Sequence, residues 1–154
     1  MRNLDRKRAT SLADTAFSKF VRLRGAWIGE VTENGLTKRV WINQCCTCNK
    51  VLPISLLQAG HYISRGKINT RWREDNVHPQ CKHCNGKPPM GLGGNYTEYA
   101  RYMIRTYGPN KLDELARISK QSSKIMTYEI IEMIDTYKEK ARAIEDSQGV
   151  RYGK

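Results

Sequence analysis

A chain of 154 residues with an apolar fraction of 39% can build one modest domain, small enough that a covalent or metal staple is expected. No run of eighteen apolar residues exists and the charged residues 1–10 lead into no apolar stretch, so a membrane span and a secretory signal are not expected and the cytoplasm is the expected compartment. The net charge of +12 is uneven: residues 1–40 carry nine Lys/Arg against four acids, 41–93 seven against two, and 94–154 eleven against nine, so the basic excess that attracts polyanions lies in the first two thirds.

In chain order, Leu12, Ala13, Ala16, Phe17, Phe20 and Val21 recur at helical spacing and predict an amphipathic helix over 10–24, decorated by Lys19, Arg22 and Arg24. Gly25 and the 29–35 stretch end it. A short strand over 38–42 then leads to Cys45. Residues 45–93 are polar and rich in turn formers, with short strands expected near 51–57 and 60–64, a loop through 69–76, and a close at Pro88, Pro89 and glycines 91, 93 and 94. Such a segment should not hold a fixed shape unaided.

From Asn95 the pattern is helical again. Tyr96, Tyr99, Ala100, Met103 and Tyr107 form one stripe ended by Gly108 and Pro109, and a shorter helix is expected over 110–118. A last helix, over 124–145, sets Ile130, Ile134, Tyr137, Ala141 and Ile144 at alternating steps of four and three. That seam either packs back on the body or joins two copies as a homodimer. The tail 147–154 is expected to be loose.

Two C-x-x-C pairs, Cys45/Cys48 and Cys81/Cys84, lie thirty-two residues apart (49–80) and can complete a tetrahedron around Zn²⁺. Four thiolates leave no open position, so such a zinc is structural; its binding, on the order of 10 kcal/mol, would compensate for the poor core of 45–93. Cys46 reads as a bystander and His83 as an alternative ligand.

Between the pairs lie Gly60-His61 and Asn76, and the second pair runs into Asn85. Phosphodiester hydrolysis needs a base and a cation. His61 has a suitable ordinary pKa for the first task, Asn76 is placed to hold its imidazole in the required tautomer, and Asn85 has an amide oxygen to offer Mg²⁺ or Mn²⁺. Arg65, Lys67, Arg71, Trp72 and Arg73 crowd the loop after His61, with Lys82 and Lys87 beside Asn85. The basic side chains would grip phosphates, and Trp72 would stack on an unpaired base. A zinc deaminase is set aside, because that chemistry wants H-x-E and P-C-x-x-C, whereas Tyr62 and Ile63 follow His61 and Gln80 precedes Cys81.

The order C-x-x-C, G-H, N-x-x-x-x-C-x-x-C-N resembles the zinc-containing branch of the HNH endonucleases. More narrowly, FSKFVRLR at 17–24, the knuckle at 45–50, QAGHYISRG at 58–66 and EDNVHPQC at 74–81 resemble the lambdoid phage NinG/Rap recombination nucleases over roughly residues 10–110. The resemblance implies an α+β fold: a small ββα-metal (HNH) core over 25–94, flanked by a basic N-terminal helix (1–24), C-terminal helices (95–146) and a tail. It also implies His61 as general base, Asn76 as its orienting partner, Asn85 (with His61) at a divalent ion, and cleavage of branched DNA such as D-loops and Holliday junctions. One departure stands out. Many HNH enzymes carry an aspartate metal ligand directly before the base, where this chain has Gly60, leaving Asp75, His78, His83, Asn95 or Glu98 to supply the missing ligand. The competing function is a non-catalytic zinc module that only binds nucleic acid.

Overall fold

Asp5 accepts a hydrogen bond from the backbone N–H of Arg8 (2.8 Å) and so opens α1 (Arg6–Leu23), the first element of a computed structural model that describes residues 4–153. Ala9, Ala13, Ala16, Phe17, Phe20 and Val21 form its buried face. Against it lies α6 (Thr127–Gln148), whose seam residues Ile130, Ile134, Tyr137 and Ala141 belong to the same core; Phe17 and Tyr137 meet edge to face at 4.7 Å between ring centres. The heptad seam is thus packed against α1, the first of the two arrangements its spacing allowed.

Three antiparallel strands, β1 (Trp27–Glu33), β2 (Leu36–Gln44) and β3 (Val51–Pro53), form one sheet in that order. The 29–35 stretch, expected only to interrupt, is most of β1 and its turn. Asn34 and Gly35 both have positive φ (52° and 77°), the Asn-Gly signature of a two-residue hairpin, and no helix-breaking argument captures it.

The second sheet is the hairpin of β4 (Leu57–His61) and β5 (Val77–Cys81), which pairs Gly60 with His78 and His61 with Val77. A 3-10 turn (Ile54–Leu56) precedes β4, and the expected loop between the strands contains the single helical turn α2 (Ile68–Arg71). β5 runs straight into the short α3 (Lys82–Asn85). α4 (Tyr96–Tyr107) and α5 (Lys111–Ser119) form a smaller core in which Tyr99, Met103 and Leu115 surround Cys46. The molecule is therefore mixed α+β, with six helices and two small sheets among the described residues. None of those helices is long and apolar enough to cross a membrane.

The end of the chain is docked. The Trp41 indole donates to the Val150 carbonyl (3.0 Å), Arg22 donates to the Tyr152 hydroxyl (2.9 Å), and the Tyr152 N–H donates to buried Glu145 (2.7 Å). Within the tail expected to be loose, Val150 and Tyr152 thus find partners on β2, α1 and α6; Lys154 lies outside the described residues.

Candidate active site

The four expected cysteines converge. Their Sγ atoms lie within 4.8 Å of one another, and Cys48 and Cys81 are 3.8 Å apart. A tetrahedron with Zn–S bonds of about 2.3 Å has edges of about 3.8 Å, so the spacing fits an ion such as zinc and is far too long for a disulfide. Two tight turns build the group. The Asn49 N–H closes on the Cys45 carbonyl (2.9 Å) with Asn49 at φ 62°, and the Cys84 N–H points at the Cys81 sulfur (3.4 Å). Burial would raise the Cys45 thiol, but the Thr47 hydroxyl and the neighbouring backbone N–H groups bring it down to about 6, whereas burial pushes Cys48 up to about 12 and raises Cys81. Cys46 points instead into the small core beside Tyr99, where burial raises its thiol, and His83 is exposed outside the sulfur group.

His61 ends β4 at the wall of a cleft of about 720 Å³, which is also lined by Gln58, Asn85, Arg65 and Tyr96 and, from α1, by Asp14, Ser18 and Arg22. The His61 Nε2 lies 2.9 Å from the Arg71 carbonyl oxygen. A carbonyl only accepts, so Nε2 carries the proton and Nδ1 keeps its lone pair. Burial pushes the His61 pKa below the ordinary histidine value, against the opposing pull of the Arg71 and Ala59 backbone and the Asp14 charge, so the neutral ring is favoured at pH 7.

Asn76 does not hold this ring. Fully buried, it accepts from the Ile63 N–H (2.8 Å) and donates to the carbonyls of Ile63 (3.0 Å) and Thr70 (2.9 Å). The expected direct contact is replaced by an indirect one, because the carboxamide is used up pinning both ends of the loop that carries the Arg71 carbonyl. Asn85, the last residue of α3, donates through Nδ2 to Gln58 Oε1 (2.8 Å); among the described residues no donor meets its Oδ1.

The basic loop divides. Arg65, Lys67, Lys82 and Lys87 are exposed, with Arg65 on the cleft. Arg71 is held by both oxygens of Asp14 (2.9 and 2.6 Å), and Arg73 by Asp75 (2.9 and 2.7 Å). Trp72 packs into the main core and its indole donates to Asp14 (2.9 Å), so the base-stacking role expected of it is corrected: the ring is committed inward.

None of the five residues considered as the missing ion ligand lines the cleft. Asp75 pairs with Arg73 and Lys111, Asn95 reaches the Cys84 sulfur (3.6 Å), Glu98 pairs with Arg101, and His83 faces outward. His78 is buried between Tyr99 (3.1 Å) and Tyr107 (2.8 Å). Tyr99 spends its one hydroxyl proton on the Gly60 carbonyl (2.6 Å), so His78 Nδ1–H must donate to Tyr99 and Nε2 must accept from Tyr107. Burial, with the nearby charge of Arg24, lowers this histidine to about 3.

The absence of an acid at 60 has a steric cause. A Cβ on Gly60 would fall 2.1 Å from Oε1 of Gln80, whose fully buried amide donates to the Gly94 carbonyl (2.8 Å) and to Thr47 (3.2 Å) while Oε1 has no partner. The carboxylate that does line the cleft, Asp14, went unnoticed in the sequence. The available signal was that it is the only acid in the basic run 6–24. Gln58 was also missed, and only its place two residues before Gly60-His61 could have marked it.

A family model described as "Bacteriophage Lambda NinG protein" matches residues 6–147, which extends the expected likeness from roughly 10–110 through nearly all of α6. No curated protein and no solved structure matches the chain.

Proposed function

The chain belongs to the bacteriophage Lambda NinG family, and on that footing we propose that it is a metal-dependent endonuclease acting on branched DNA recombination intermediates. In this reading β4, β5 and α3 are a ββα-metal core of HNH type, and the four cysteines hold a structural zinc that fixes α3 against the hairpin. The observation that carries the reading is His61: a neutral imidazole on a cleft whose Nε2 proton is held by the Arg71 carbonyl, which makes Nδ1 the basic nitrogen.

His61 takes a proton from water. The water oxygen forms a bond to phosphorus as the bond from phosphorus to O3′ breaks, and solvent returns a proton to the leaving oxygen, giving a 5′-phosphate and a 3′-hydroxyl. The cleft offers a divalent ion one unengaged amide oxygen, Asn85 Oδ1, since the Asp14 carboxylate is engaged with Arg71 and Trp72; Asn85 would hold a hydrated ion whose other ligands are water and substrate phosphate. Such an ion, Mg²⁺ or Mn²⁺, would supply positive charge to the phosphate and the departing oxygen. Arg65, Lys67, Lys82 and Lys87 would neutralise flanking phosphates; these contacts read backbone rather than bases, as selection by DNA shape requires. The expected compartment is the cytoplasm of the host cell, where thiols stay reduced.

The test is cleavage of labelled linear, forked and four-way DNA with and without Mg²⁺, beside His61→Ala. Loss of cutting with retained DNA binding is expected. A His61→Ala protein that cuts like the wild type, or a wild type that binds but never cuts, rejects catalysis in favour of a binding module.

A further inference from the structure

We infer that Asp14 of α1 is a positioning residue for His61: it clamps the peptide whose carbonyl holds the ring. The inference rests on the reading of His61 as the base. A backbone carbonyl orients an imidazole only as well as its own peptide plane is fixed. The Arg71 carbonyl, 2.9 Å from His61 Nε2, belongs to the peptide that joins Arg71 to Trp72. That peptide lies where α2 ends, after a single turn too short to hold a plane by itself, and its N–H reaches only the Thr70 carbonyl within the same turn. The two flanking side chains supply what the helix cannot. Arg71 donates to both Asp14 oxygens (2.9 and 2.6 Å), and the Trp72 indole donates to one of them (2.9 Å). Neighbouring side chains on a turn ordinarily diverge, so their convergence on one carboxylate fixes the plane between them. The Arg71 guanidinium also lies 5.3 Å from the Trp72 ring centre, which closes the triangle.

The anchor is rigid. Asp14 follows buried Ala13 on the eighteen-residue α1, whose apolar face belongs to the same core as the Trp72 ring. Asn76 binds at Ile63 and Thr70, short of the Arg71–Trp72 peptide, and so leaves that peptide to Asp14. The charge argues for the same role. A carboxylate on the wall of a cleft that receives phosphates opposes them, and Asp14 is the only acid within 6–24, so acting on substrate directly it would hinder binding.

The first readout needs no DNA. In ¹⁵N-labelled, zinc-loaded protein the His61 Nε2–H is expected as a held ring proton, with the Nδ1–H of His78, enclosed by Tyr99 and Tyr107, as an internal marker of the fold. Asp14→Ala should speed exchange of the His61 proton more than about tenfold and leave that of His78 unchanged. Arg71→Met keeps the carbonyl and removes the tie; it should act in the same direction, and its result decides if Asp14→Ala loses the His78 signal. A His61 proton that exchanges as in the wild type, or one that the wild type itself does not hold, overturns the inference. The second readout is cleavage of four-way DNA with Mg²⁺. Asp14→Ala is expected to lower kcat about tenfold, a part of the roughly 10²–10⁴-fold that a general base contributes, with KM unchanged or lower. An unchanged kcat, or a KM that rises in step with the loss, overturns it, because the first denies positioning and the second marks a general loosening of the cleft. If His61→Ala cuts like the wild type, the reading of His61 as base falls, and the proton exchange still tells whether Asp14 holds the ring.

Discussion

The buried histidine outside the cleft sets a measurable acid sensitivity. His78 is 2% exposed, its ring is neutral between two tyrosine hydroxyls, and its pKa is lowered to about 3. In the unfolded chain a histidine titrates near 6.5, so between those values the unfolded state holds a proton that the folded state refuses, and stability falls as pH drops below about 6.5. At about 1.4 kcal/mol per pH unit, going from pH 7 to 5 removes about 2 kcal/mol through this residue alone, a factor of roughly thirty in the folding equilibrium. His78→Gln keeps a donor for Tyr99 and an acceptor for Tyr107 and cannot titrate. Urea unfolding followed by tryptophan fluorescence, at pH 7 and pH 5 with free zinc held constant, gives the comparison. Protonation of the cysteines and of His61 affects both proteins alike and cancels in the difference. The wild type is expected to lose about 2 kcal/mol more than the variant over this interval. Equal losses would mean that His78 is already protonated or solvated in the folded protein, and would refute the hydrogen-bond assignment along Tyr107, His78, Tyr99 and Gly60.

Two further outcomes follow from the packing. Gly60→Ala places a methyl 2.1 Å from Gln80 Oε1, and at typical overpacking costs of 1–3 kcal/mol it should destabilise by about that much. Adding Gln80→Ala should then cost less than the two single changes predict, and strict additivity in urea titrations would show that the two sites do not touch. Removing metal with a chelator at pH 7 withdraws on the order of 10 kcal/mol, comparable to the whole stability of a small domain. Hydrogen exchange should then accelerate at the amide of Cys46, which bonds to Pro79, and at that of Tyr62, which bonds to Asn76; unchanged exchange at Cys46 would deny the four-cysteine group its stapling role.

Much of this architecture was readable from the residues in order. Helical periodicity located α1, α4, α5 and α6 to within a few residues, because the face a helix buries is written at three- and four-residue steps along one short segment. Paired cysteines announced the metal group for the same local reason, since two ligands on one turn need a fixed spacing. Strands were less legible. β5 is buried at every position, so its VHPQC shows no alternation to find.

The side-chain partnerships were decided only by the tertiary structure. Asn76 lies near His61 in the hairpin register, yet its amide satisfies backbone groups of the loop; Trp72 and Arg71 sit in a basic run, yet both turn to Asp14, more than fifty residues away on α1. The heptad seam of α6 could have suited a second chain, and it is α1 of the same chain that covers it. Sequence spacing fixes which residues share a turn or a face. Which polar atom meets which depends on how distant elements stack, because a buried donor or acceptor must find whatever partner that stacking brings within hydrogen-bond reach.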